Sequence, residues 1–136
     1  MGEDTSTSNR YSSARHTGER AGPSARHNQH LGAAGEELAA AWYRRQGYRV
    51  VARNWRTRNG ELDLILARRG ELVVCEVKTR SSRRYGHPVE AVTPDKQARI
   101  RRLAMAYVAE TKARGRLRFD IAAVESGRVE VWEGVF

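Results

Sequence analysis

Gly60-Glu61-Leu62-Asp63-Leu64-Ile65-Leu66-Ala67-Arg68, followed by Arg69-Gly70 and then Glu71-Leu72-Val73-Val74-Cys75-Glu76-Val77-Lys78, is the stretch whose reading decides the fold. Two apolar-rich runs flank a dipeptide whose second residue, Gly70, accepts the positive φ that a tight two-residue hairpin loop requires. The pattern predicts strands over 59–67 and 71–78. With Arg68 facing Glu71, the register sets Asp63 opposite Glu76 and Glu61 opposite Lys78. Side chains alternate along a strand, so Glu61, Asp63, Glu76 and Lys78 are expected on one face, and Leu62, Leu64, Val73, Cys75 and Val77 on the other.

That register has a chemical consequence. Directly opposed Cβ atoms lie roughly 4.5–5.5 Å apart, so two facing carboxylates repel each other unless a cation offsets their charge. Mg²⁺, or Mn²⁺ in its place, suits such a pair, because it takes a few carboxylate oxygens and keeps water and substrate phosphate as its other ligands. Lys78 is then placed to contact an attacking water or a phosphate oxygen. A solvated hairpin face with cross-strand ion pairs would show the same alternation. Against it stands the apolar content: Leu72, Val74 and Ile65 share the charged face, which implies that the face is covered. Carboxylates in a covered strand require a reason.

The quoted motifs resemble a known family. Asp63 followed by Glu76-Val77-Lys78 is similar to the PD-(D/E)xK nuclease signature, with Leu62 standing where its name has proline. Gly35-Glu36, Gly60-Glu61-Leu62-Asp63-Leu64-Ile65, Glu76-Val77-Lys78-Thr79-Arg80, Gly86-His87-Pro88-Val89-Glu90-Ala91-Val92 and Arg118-Phe119-Asp120, in that order, resemble the YraN family of small bacterial endonuclease-like proteins. That group is related in pattern to archaeal Holliday junction resolvases. The resemblance covers the chain from about Leu31 onward and implies an α/β fold: a restriction-endonuclease-like αβββαβ core, its mixed sheet flanked by helices. It also implies that Glu36 assists Asp63 and Glu76 in holding metal, and it is compatible with a homodimer, since resolvases cut two strands.

Composition bounds these expectations. A chain of 136 residues suits one domain with a real core. No run approaches the roughly 20 apolar residues of a membrane span, and no basic start precedes an apolar segment. A cytoplasmic protein without membrane partners is therefore expected. The single Cys75 leaves no intramolecular disulfide and no cysteine-rich zinc site. Residues 1–30 lack Ile, Leu, Val, Phe and Trp, so they read as a disordered tail ahead of a domain over 31–136. From Gly32 onward 21 Lys and Arg oppose 13 Asp and Glu, an excess that favours a polyanionic partner. A Gly-rich phosphate loop, a dinucleotide fingerprint and a Cys/His ligand set are all missing, which argues against ATP hydrolysis and hydride transfer.

The rest of the chain supplies the frame. A helix is expected from about Ala33 to Gln46, stopping at Gly47, with Leu38, Ala39, Trp42 and Tyr43 on its buried stripe. A strand follows over 48–55. The basic segment 79–88 reads as a loop over the site, Arg80, Arg83 and Arg84 meeting phosphates and Tyr85 stacking on a base or sugar. Thr93-Pro94-Asp95 opens a second helix with Ile100, Leu103, Ala104, Tyr107 and Val108 inward and Lys96 toward the site as a phosphate contact. Strands over 118–124 and 128–132, turning at Ser126-Gly127, close the domain. Asp120 reads as an ion-pair partner rather than a site residue.

The expected function is a Mg²⁺-dependent endonuclease acting on DNA, with branched DNA as candidate substrate. Asp63 and Glu76 bind metal, Glu36 assists, Lys78 positions water or stabilises charge, and Glu61 tunes or joins the site. The alternative is a nucleic-acid-binding module that keeps the fold without turnover.

Overall fold

Residues 23–80 and 87–136 are described by the computed structural model. Helix α1 (Pro23–Arg45) leads into strands β1 (Arg49–Thr57), β2 (Gly60–Arg68) and β3 (Glu71–Arg80). A short 3-10 turn (Pro88–Ala91), helix α2 (Pro94–Thr111), β4 (Arg116–Glu125) and β5 (Arg128–Trp132) complete the chain. The strands form one mixed sheet in sequence order. β1, β2 and β3 pair antiparallel, β3 and β4 pair parallel, and β5 runs back along β4. The parallel pair needs a crossover, and α2 supplies it. This is the α/β architecture with an αβββαβ core that the sequence implied.

Local chemistry sets most boundaries. The β2–β3 turn has φ 36° at Arg69 and 79° at Gly70, and the β4–β5 turn has 52° at Ser126 and 75° at Gly127. Two successive positive φ values are the hairpin geometry whose twist matches the strands. α1 ends where Tyr48 N donates to Tyr43 O (3.0 Å) around Gly47 at φ 93°, a left-handed stop. At the start of α2 the Thr93 hydroxyl accepts from Lys96 N, as the Thr-Pro-Asp sequence requires.

Three expectations are corrected. α1 begins at Pro23 and not near Ala33, so Pro23–His30 of the expected tail are helical; residues 1–22 lie outside the described residues. Thr79 and Arg80 belong to β3, not to a loop, because the parallel ladder continues to Arg80↔Glu125. On α1 Gly35, Ala39, Ala40 and Tyr43 are buried, while Leu38 is exposed and Trp42 half-buried. The helix sits closer to the sheet than bulky side chains allow: a Cβ on Gly35 would lie 2.0 Å from Thr79 Oγ1. A small-residue face therefore wins over the larger apolar one.

Two cores sandwich the sheet. On the α1 side Ala39, Ala40, Tyr43, Tyr48, Leu64, Leu66, Val73, Cys75 and Ala122 pack together. On the α2 side Trp55, Leu62, Ile65, Leu72 and Val74 meet Ile100, Leu103, Ala104 and Tyr107. Trp55 and Tyr107 meet edge to face with ring centroids 5.3 Å apart, a favoured aromatic arrangement.

Candidate active site

The candidate site lies where β2 and β3 part. Their ladder runs from Arg68↔Glu71 to Leu64↔Cys75, in the register that the turn predicts. The pairs expected beyond it, Asp63 with Glu76 and Glu61 with Lys78, are not part of that ladder. Instead Asp63 Oδ2 accepts from Val77 N at 2.9 Å, so a carboxylate takes the role of a strand carbonyl.

A break in alternation accompanies this bond. Leu62 and Ile65 both face the α2-side core, and Leu64 faces the α1 side. Leu62 and Leu64 were expected on one face, which the structure overturns. The same three-residue step separates Ala52 and Trp55 on β1, around Asn54 at φ 49°. Both strands thus switch faces at the level of Asp63, and Asn54 in the left-handed region absorbs the change.

Four carboxylates share this corner. Asn54 Nδ2 donates to Glu36 Oε1 at 3.1 Å, tying α1 to β1. Glu61 pairs with Arg56, its register partner on β1. Glu76 Oε2 is 3.5 Å from Lys78 Nζ. Asp63 stands in the midst of Glu76, Glu36 and Glu61. Desolvation, then repulsion from Glu76, pushes its pKa well above the ordinary aspartate value, against the lowering bond from Val77 N. Glu36 is also raised, first by desolvation, with the Asn54 bond opposing. Lys96 is shifted down, first by the neighbouring Lys78 ammonium and then by desolvation.

The structure therefore brings together Glu36, Glu61, Asp63, Glu76, Lys78 and Lys96. Their donors are hard oxygens, which suit Mg²⁺ or Mn²⁺ and not a soft-ligand zinc site. Among the described residues no three His, Cys, Asp or Glu side chains form a ready-made metal cage. A Mg²⁺ site of one or two carboxylates, completed by water and substrate phosphate, needs none. The crowding of charge around Asp63 is the observation that fits a cation there.

Other candidates fall elsewhere. Arg80 ends β3 and is half-buried, whereas Arg83, Arg84 and Tyr85 lie outside the described residues. His87 caps the 3-10 turn through Val89 N (3.2 Å) and packs edge-on against Trp132. Asp120 is fully buried and accepts from Tyr43 Oη (2.6 Å), Arg118 Nε (2.9 Å), Arg118 Nη2 (2.8 Å) and Gly134 N (2.9 Å). It is a structural ion-pair partner, as its sequence suggested. Burial raises the Cys75 thiol pKa, which keeps it inert.

Sequence reasoning missed Asn54 and Arg56. An asparagine inside an apolar strand was a signal for Asn54. Arg56 would have emerged from extending the register across the β1–β2 turn, which pairs it with Glu61.

The model of the family described as "Uncharacterised protein family UPF0102" matches residues 35–124. The UPF0102 protein of Beutenbergia cavernae is 52% identical over 112 residues, covering 77% of this chain and 94% of that protein. Those of Rhodococcus opacus and Symbiobacterium thermophilum are 49% and 50% identical, each alignment covering 74% of this chain and 86% of the relative. The match includes every residue of the carboxylate cluster, from Glu36 to Lys96. Among the described residues no helix is long and apolar enough to cross a membrane.

Proposed function

The chain belongs to the uncharacterised protein family UPF0102, and from its carboxylate corner we propose a metal-dependent endonuclease of the PD-(D/E)xK type, acting on DNA and preferring branched or junction forms. The observation that carries this reading is Asp63, half-buried, bonded to Val77 N and crowded by Glu76, Glu36 and Glu61 in a chain whose net charge is +9. A basic protein that concentrates acidic groups at one half-buried point holds them there at a cost in stability, and a phosphodiesterase has a use for them.

In this reading Asp63 and Glu76 hold Mg²⁺ or Mn²⁺ with Glu36 assisting. Bound there, the cation supplies a more acidic water and stabilises charge developing on the phosphorus. Lys78, anchored 3.5 Å from Glu76, orients water or a phosphate oxygen. Lys96, crowded by Lys78, is an ammonium that gains from a phosphate neighbour. Glu61, held by Arg56, tunes the field and keeps Arg56 from neutralising Asp63. In this reading Arg80, Arg83, Arg84 and Tyr85 supply the further contacts to the nucleic acid.

One observation favours a second reading. Lys78 already provides Glu76 with a counter-charge, as expected of a nucleic-acid-binding module without turnover. Incubation with labelled junction and flap DNA in Mg²⁺ or Mn²⁺ separates the two. The enzyme nicks, and Asp63→Ala and Glu76→Ala abolish nicking and the calorimetric Mn²⁺ signal. The module binds DNA without metal and keeps binding when Asp63 is replaced. Cleavage unchanged in both variants would remove the carboxylates from the chemistry.

A further inference from the structure

Beside the carboxylate corner, the β1–β2 turn and α2 enclose a groove of about 350 Å³ lined by Thr57, Asn59, Arg99, Arg102, Leu103 and Ala106. Its shape depends on Gly60: at φ 143°, a Cβ there would lie 3.1 Å from Leu103 Cδ1 and 3.6 Å from Arg99 Cδ. The missing atom lets the turn close onto α2 without pressing on Leu103 and without strain at that φ. The opposite wall is one helical face, since residues three apart on α2 are neighbours. Lys96, Arg99 and Arg102 therefore form a single basic row, and Lys96 leads back to Lys78 and Glu76. Arg99 and Arg102 are exposed, and among the described residues neither has a carboxylate partner.

We propose that this groove binds one unpaired nucleotide of the strand engaged at the carboxylate corner, its phosphates on Arg99 and Arg102 and its base or sugar over Leu103 and Ala106. The inference rests on the nucleic-acid reading and narrows it to DNA with single-stranded character, such as flaps, gaps and junction arms. The volume is at the scale of a small-molecule pocket, ~300–1,000 Å³, and a single nucleotide is of that size. The lining combines cations with an apolar floor. Phosphates satisfy the first and exposed base faces the second, whereas an intact duplex keeps its base faces stacked away. Guanidinium planes also stack on bases, which ammonium groups do not.

The test is fluorescence anisotropy in EDTA, so that cleavage plays no part, with a short labelled oligothymidylate and a blunt duplex of equal length. The wild type is expected to bind the single strand more tightly. Arg99→Ala/Arg102→Ala is expected to weaken that binding roughly tenfold and to reduce the salt slope by about 1.4, the value for two single-strand phosphates. Ala106→Glu, at an exposed helical position, is expected to weaken it similarly while leaving the helix intact. Unchanged single-strand binding in either variant, equal losses on duplex and single strand, or no wild-type binding overturns the inference. Binding that the variants lose, in a wild type that never nicks DNA with Mg²⁺, would sink the catalytic reading and uphold the groove.

Discussion

Replacing Asp63 with asparagine gives the sharpest test of the carboxylate corner, because it predicts a gain in stability together with a loss of function. The amide keeps an oxygen for Val77 N and turns a donor toward the neighbouring carboxylates. What disappears is a charge held in a desolvated place. Glu61 is paired with Arg56 and Glu76 with Lys78, so about one like-charge repulsion is left uncompensated. At an effective dielectric constant near 20 and a separation of about 6 Å, this costs roughly 3 kcal/mol. Weakening the charge-assisted bond to Val77 N takes back about 1 kcal/mol. The net gain is about 2 kcal/mol, or roughly 7–9 °C in Tm at about 2.1 cal/mol/K of unfolding entropy per residue.

The sign with pH follows from linkage. The native pKa of Asp63 lies above its unfolded value, so native protein holds the proton more tightly. Wild-type stability therefore falls as pH rises from the ordinary aspartate range through the raised native value, and stays reduced above it. The advantage of Asp63→Asn is full above that raised value and vanishes in acid, where both side chains are neutral. Thermal melts of the two proteins in EDTA across this range measure it. Adding Mn²⁺ should then stabilise the wild type and leave the variant unmoved. A variant that melts no higher than wild type at the alkaline end of this range, or an advantage that persists in acid, refutes the reasoning.

Other outcomes test the frame. Tyr43→Phe removes one of the bonds to Asp120 and should lower stability by about 1.5–3 kcal/mol in denaturant titration, whereas Asp120→Ala, which leaves Tyr43 Oη and Gly134 N without their acceptor and takes from Arg118 the nearest of its carboxylates, should cost about 3–5 kcal/mol. Arg56→Met leaves Glu61 unpaired among carboxylates and should destabilise by about 2 kcal/mol or more; Arg56→Met/Glu61→Leu should recover most of that loss, which a double-mutant cycle would reveal. Gly35→Val forces α1 away from Thr79 and should reduce both stability and Mn²⁺ binding, since the same helix carries Glu36. Gly35→Ser, smaller but still clashing, should give an intermediate melt.

Much of this molecule was legible in the sequence wherever neighbouring residues decide conformation. The glycines of Arg69-Gly70 and Ser126-Gly127 accept the positive φ that a two-residue turn imposes, and the first turn then sets the register as far as Leu64↔Cys75. Thr93-Pro94-Asp95 starts its helix by capping alone, and the spacing of Ile100, Leu103, Ala104 and Tyr107 names its inward face. The candidate cluster was visible too, since strand alternation and the family motif both pointed to Glu61, Asp63, Glu76 and Lys78.

Tertiary structure decided the remainder. Whether α1 presents Leu38 or Ala40 to the sheet depends on how closely it can approach Thr79, a contact between residues 44 positions apart at Gly35. The switch of faces at Asp63 depends on a carboxylate reaching the backbone of another strand and on Asn54 yielding in a third. Periodicity cannot encode such a switch, because a local pattern assumes that each residue follows its neighbours. Strand pairing and turns arise from local preferences summed along the chain, whereas the electrostatics of Asp63 arise from which distant charges the finished packing leaves beside it.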